Sequence, residues 1–116
     1  MKPTRQDFED LFVNFFETGY SDYWAQVSLV HYNKETRGES VSEKMFSKLW
    51  DEEKEIVIFD SEDDTESHGS LTKRKLLKAI KTAYVMDLNV CSMNEWDAVD
   101  TDTFIQYVIF GEIVFG

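Results

Sequence analysis

Phe8, Leu11, Phe12, Phe15 and Phe16 fall at the i, i+3, i+4, i+7, i+8 spacing of one buried helix face. Thr4 stands ahead of them as an N-cap, with Asp7 three residues on, and Gly19 marks the expected stop. The pattern predicts a helix near 4–18. The next stretch, 23–32, is rich in aromatic and β-branched residues. Tyr23, Ala25, Val27 and Leu29 alternate there with Trp24, Gln26 and Ser28, which predicts a strand covered on one side.

Residues 33–42 are polar, hold Gly38 and read as a loop. Met45, Phe46, Leu49 and Trp50 favour a short helix over 43–50. Ile56, Val57, Ile58 and Phe59 form a run too short for a helix, so 55–60 reads as a buried strand. The acidic stretch 61–70 reads as a surface loop. A second long helix is expected over 71–88, with Leu76, Leu77, Ile80, Ala83 and Tyr84 inward. Asp100 or Thr101 is expected to cap a last helix over 101–111, and 112–116 to end as an extended tail or frayed turn. No repeat or linker divides the chain. The order predicts one α+β domain over 1–116, three main helices packed on a small sheet.

Composition supports a real core: apolar residues are 42% and aromatics 15% of 116 residues. Charge narrows the partners. With 12 basic against 23 acidic residues the net charge is −11, which disfavours DNA, RNA and anionic membranes. One cysteine, Cys91, excludes an intrachain disulfide framework. Neither a signal region nor an apolar run of membrane-spanning length is present, so a reduced, cytoplasmic setting is expected.

Chemistry-bearing motifs fail one by one. The scattered glycines make neither GxGxxG nor GxxxxGK. Asp60, Glu62 and Asp64 have the alternate spacing of a calcium loop, yet Thr65 stands where Gly is needed and Leu71 where a bidentate Glu is needed. A zinc site would have to draw His31, His68 and Cys91 from three separate segments. His31 reads as a structural histidine and His68 as an exposed one. Cys91 has no basic neighbour in sequence and reads as a packed thiol. No catalytic residue, metal or cofactor is expected, and the chain does not read as an enzyme.

Charge segregation is the informative feature. Between Asp51 and Glu66 stand nine carboxylates and one lysine, Lys54. Lys73, Arg74, Lys75, Lys78 and Lys81 then follow without an acid among them. The plain reading has this basic face neutralise the neighbouring acidic loop, or stand in water. The functional reading has the carboxylates present a phosphate-like array to a basic protein, steering association.

Tyr23-Trp24 after the first helix, Leu71-Thr72 before a later one, and the closing Phe110-Gly111-Glu112-Ile113-Val114-Phe115-Gly116 carry a resemblance. The chain resembles a group of small proteins of tailed bacteriophages and prophages. That resemblance implies a phage or mobile-element protein acting in the cytoplasm of a bacterial host, and supplies no catalytic residue. Small acidic phage proteins without catalytic motifs often bind and block host machinery, CRISPR effectors included. The expected partner is thus a host protein that handles nucleic acid, with no direct nucleic-acid or membrane contact. The expected contact residues are Asp51, Glu52, Glu53, Asp60, Glu62, Asp63, Asp64 and Glu66. The rival expectation is a phage structural or assembly component, self-associating through Trp24, Trp50, Trp96 and the Ile113-Val114-Phe115 tail. A monomer or a dimer fits the first expectation.

Overall fold

Thr4 starts the first helix as its spacing requires. Its hydroxyl accepts the Asp7 N–H at 3.2 Å, while the Asp7 carboxylate accepts the Thr4 N–H at 2.7 Å. This capping box opens α1, Arg5–Glu17, whose Phe8, Leu11, Phe12 and Phe15 are buried. The structure is a computed structural model and describes residues 3–27, 41–63, 65–86, 88, 93 and 95–115.

Of the expected strand at 23–32, the described residues 23–27 hold only a short piece. Tyr20–Tyr23 is a short 3-10 turn, and β1 is only Ala25–Gln26. Residues 28–32 lie outside the described residues. The alternation fails because Trp24 and Ala25 are both buried, the indole being drawn toward a polar partner on another helix. The short helix is present as α2, Val41–Trp50, beginning two residues inside the expected loop at 33–42, of which 33–40 lie outside the described residues; the apolar run is β2, Ile56–Asp60.

The expected loop at 61–70 needs a second correction. Ser67–Leu71 is β3, antiparallel to β2, which leaves only 61–66 as a hairpin connection. Backbone pairing with β2 and burial of Leu71 outweigh the weak strand propensity of Ser-His-Gly-Ser-Leu. Ile58 opposes Gly69 but Phe59 opposes Ser67, so His68 is the extra residue of a bulge. Gly69, at φ +142°, permits this bend. A Cβ there would meet Ile109 Cγ2 at 3.0 Å, so the helix Ala98–Phe110 and β3 approach as closely as they do because this residue is glycine.

The long helix expected at 71–88 is broken. Thr72 caps α3, Lys73–Ile80, and Ala83–Met86 is a separate 3-10 turn. Leu76, Ala79, Ile80 and Ala83 face inward, but Leu77 and Tyr84 are exposed. Leu77 is exposed although it lies within the unbroken helix, so the inward face is narrower than the apolar spacing suggests. The last helix, α4, is Ala98–Phe110, capped by Asp97 with Asp100 completing the box. Its start thus lies three residues before the expected 101.

The sheet has the order β1-β2-β3, and α4 packs on β3 while α1 packs on α2 and α4. Among the described residues an antiparallel sheet with four helices makes the chain α+β. Phe8, Phe12, Phe46, Trp24, Ile58, Leu76 and Phe104 meet in one core cluster.

Candidate functional site

Strand β2 divides the expected acidic surface. Asp51, Glu52 and Glu53 precede it, and Asp60, Glu62, Asp63 and Glu66 stand at its other end. Five extended residues separate the two groups by roughly 15 Å. The sequence-predicted site is two patches.

The first patch is matched by cations. Arg5, on α1, forks onto Asp51 with Nε at 3.2 Å and Nη2 at 2.7 Å, and reaches Glu9 at 3.3 Å. Arg5 holds Asp51 below the usual carboxylate range and is itself raised in return. Lys54 pairs with Glu52 at 3.4 Å. Lys73 Nζ stands 4.9 Å over the Trp50 ring, and its charge also favours ionised Asp51.

The second patch is a hairpin tip held by its own hydrogen bonds. Asp60 Oδ1 accepts the Glu62 N–H at 2.8 Å. Asp63 Oδ1 accepts both the N–H and the hydroxyl of Thr65, at 3.0 and 2.6 Å, which lowers the Asp63 pKa. The Asp60 N–H closes the hairpin on the Glu66 carbonyl at 2.8 Å. Glu62, Asp63 and Glu66 are exposed, and no Lys or Arg pairs with them among the described residues. Asp64 lies outside the described residues.

The basic helix does not neutralise this tip. Strand β3 runs from the tip to α3, placing the two at opposite ends of the strand. Among the described residues no ion pair joins α3 to a carboxylate. Lys75 instead donates to the Ser70 carbonyl at 3.1 Å. Arg74, Lys75, Lys78 and Lys81 are exposed.

A third constellation escaped the sequence reading. Asp102 is buried, and its Oδ1 accepts from Ser21 Oγ at 2.5 Å and Trp24 Nε1 at 2.6 Å. Its Oδ2 accepts from Gln106 Nε2 at 2.8 Å and Tyr23 Oη at 3.3 Å. Tyr23 is half exposed, yet partial desolvation first, and then the Asp102 charge and hydrogen bond, raise its pKa. Gln106, wholly buried, also holds the tail at Val114 and Phe115. The Phe115 ring stacks on Trp24 at 5.4 Å and 13°, beside His68 and Phe110. Every donor here has an acceptor, and the whole reads as a structural lock.

That lock corrects two expectations. His68 is half-buried, because the bulge turns its ring onto Trp24 and Phe110 and Nε2 meets the Trp24 carbonyl at 2.9 Å. Trp24 is 1% exposed and offers no surface for self-association. Trp50 and Trp96 are half-buried, while Ile113 and Val114 are exposed. His31 and Cys91 lie outside the described residues.

A groove of about 420 Å³ runs between Phe16, Ala25, Val27 and Met45, with Glu17 and Asp22 at its rim. Glu17 there accepts from Ser42 Oγ at 2.8 Å. Among the described residues no three His, Cys, Asp or Glu side chains converge as metal ligands, and no helix is long and apolar enough to cross a membrane. No family model, curated protein or solved structure matches the chain.

Proposed function

We propose that the chain is a non-enzymatic protein-binding domain that engages a basic protein surface through the acidic β2–β3 hairpin. In the phage setting implied by the sequence resemblance, the partner is a host protein that handles nucleic acid in the cytoplasm, and binding inhibits it. A CRISPR effector complex is the expected example. The observation that carries this reading is the hairpin tip: among the described residues Glu62, Asp63 and Glu66 are exposed and have no Lys or Arg partner, on a turn where Asp60 and Asp63 accept hydrogen bonds from Glu62 and Thr65. A preorganised array loses little freedom on binding, and its charge speeds encounter with a basic channel. The patch at Asp51, Glu52 and Glu53 contributes less, since Arg5 and Lys54 already compensate two of its members.

Affinity purification from a bacterial host, with the tagged chain and with Glu62→Gln, Asp63→Asn, Asp64→Asn, Glu66→Gln combined, tests the reading. Asn at 63 can still accept the Thr65 bonds, so the turn is kept. A nucleic-acid-handling protein recovered with the wild-type chain alone, associating more slowly as salt rises, supports it. Recovery of the same proteins with both baits sinks it.

The assembly reading rests on the exposed Ile113 and Val114 of the tail, 44% and 50% accessible. Sedimentation over a range of concentrations tests it, and a concentration-independent monomer argues against it.

A further inference from the structure

Helix α3 carries its cations where a helix tolerates them least. Lys73, Arg74 and Lys75 occupy the first turn, with no acid there, at the positive end of the helix dipole. Arg74 and Lys78 are also a like-charge i, i+4 pair, unfavourable by a few tenths of a kcal/mol. A chain with 23 acidic residues could have neutralised this face, yet no ion pair reaches it among the described residues. Lys73 and Lys75 find partners at Trp50 and Ser70, whereas the Arg74, Lys78 and Lys81 side chains make no hydrogen bond or ion pair among the described residues.

The face is not purely polar. Leu77 lies between Arg74 and Lys81, and the following turn adds Tyr84 and Val85, which are 72% and 57% exposed. A cleft of about 460 Å³ bounds the helix, lined by Leu77, by the four cations Lys73, Arg74, Lys78 and Lys81, and by one carboxylate, Glu53. Lys73 is held at its edge by the Trp50 ring. Cations flanking exposed apolar side chains suit a ligand that carries carboxylates and apolar groups together.

Three occupants match the charge, and the apolar groups choose among them. A polynucleotide would track beyond an eight-residue helix, about 12 Å long, onto a chain whose net charge is −11. The hairpin tip of a second copy is polar throughout and leaves Leu77, Tyr84 and Val85 uncovered. A short acidic amphipathic segment covers both kinds of side chain. We propose that the exposed face of α3, with Tyr84 and Val85, docks a protein segment of this kind: a helix bearing Leu or Phe beside Glu or Asp. This surface is separate from the acidic hairpin, and neither depends on the other.

The test uses the full chain and a fluorescein-labelled synthetic amphipathic helix with Leu along one face and Glu along its flanks, read by anisotropy. Arg74→Gln with Lys78→Gln is expected to weaken binding roughly tenfold and to flatten its salt dependence. Leu77→Ser with Tyr84→Ser is expected to weaken it comparably while the salt dependence stays. Both pairs are solvent-exposed, and circular dichroism checks that each variant folds. The hairpin variant with Glu62, Asp63, Asp64 and Glu66 neutralised is expected to bind the probe as the wild type does, which keeps this outcome distinct from the hairpin reading. Absence of probe binding overturns the proposal, as does equal binding after Leu77→Ser with Tyr84→Ser. Tighter binding of polyuridine RNA to Arg74 and Lys78 overturns it in favour of nucleic acid. A dimer that dissociates in the hairpin variant overturns it in favour of a second copy.

Discussion

The Gln106 side chain pairs with the backbone of Phe115 as a neighbouring strand would. Its Nε2 donates to the Phe115 carbonyl at 2.8 Å, and its Oε1 accepts the Phe115 N–H at 2.8 Å. The same Oε1 takes the Val114 N–H at 2.9 Å, and the same Nε2 reaches Asp102. One wholly buried amide thus ties the tail to the polar center of α4 and seats the Phe115 ring on Trp24.

Gln106→Ala is expected to destabilise the chain by about 3 kcal/mol, because it leaves several buried partners unsatisfied. Ending the chain at Glu112 removes the same tail contacts by another route. The double change is therefore expected to cost less than the sum of the two single changes. Urea denaturation of all four chains measures the coupling. Strict additivity would mean that Gln106 does not act through the tail.

Tyr23 gives a pH prediction. Its pKa in the folded chain is raised, by burial first and by Asp102 next, so the native state holds its proton longer than the unfolded state does. The stability this confers is complete below the ordinary tyrosine value near 10 and is lost as pH rises through the raised folded value. NMR titration of the Tyr23 ring is expected to show the shift, and Asp102→Asn to reduce it. That same substitution is expected to cost about 1–3 kcal/mol although it removes a buried charge. With an Asn oxygen kept toward Ser21 and Trp24, its NH₂ would face the Gln106 NH₂, donor against donor.

Arg5 and Asp51 join the start of α1 to the end of α2. The guanidinium hydrogen bond holds the Asp51 pKa below the usual carboxylate range. Its small contribution is present above that range and is lost as pH falls through the lowered value. Carboxyl NMR of Asp51 is expected to show a depressed titration that returns upward in Arg5→Gln. Both groups are about half exposed, so high salt is expected to shrink the difference.

The fold was legible where one face of one element decided it. The five apolar positions of α1 and the Thr4–Asp7 box are local signals, and the structure follows them, burying Phe8, Leu11, Phe12 and Phe15 and partly burying Phe16. Strand β3 was not legible: Ser-His-Gly-Ser-Leu has little β-propensity, and only its pairing with β2 makes it a strand. Helix α3 stops at Ile80 while the apolar spacing continues, so the spacing suggests a buried Tyr84, which is the most exposed large apolar side chain among the described residues. For the candidate surface, the sequence displayed the carboxylates but not the strand that parts them. Asp102 and Gln106 left one faint sign, a polar i, i+4 pair within an otherwise apolar helix face. Reading it required the partners Ser21, Trp24 and Phe115, which lie far away or in irregular backbone.

Glu53 and Gly111 share a backbone conformation and differ in suitability for it. Glu53 follows α2 at φ +53°, and Gly111 ends α4 at φ +76°. Both stand just beyond a helix, where the left-handed conformation satisfies the last carbonyls: Lys54 N–H reaches Lys48 at 3.0 Å, and Gly111 N–H reaches Tyr107 at 2.9 Å. Glycine adopts this geometry without a Cβ penalty, whereas a side chain is strained there. No atom lies within 4 Å of a Cβ built on Gly111, so Gly111→Ala tests conformation without a clash. That substitution is expected to cost about 1 kcal/mol, and Glu53→Gly to gain roughly 0.5–1 kcal/mol. The gain at 53 should persist at high salt, since it comes from backbone geometry and not from the lost carboxylate. Glu53→Gln separates the two causes: it keeps the strained side chain and removes the charge. If Glu53→Gln stabilises as much as Glu53→Gly, repulsion from Glu52 and Glu55 is the origin, and the backbone account of this turn fails.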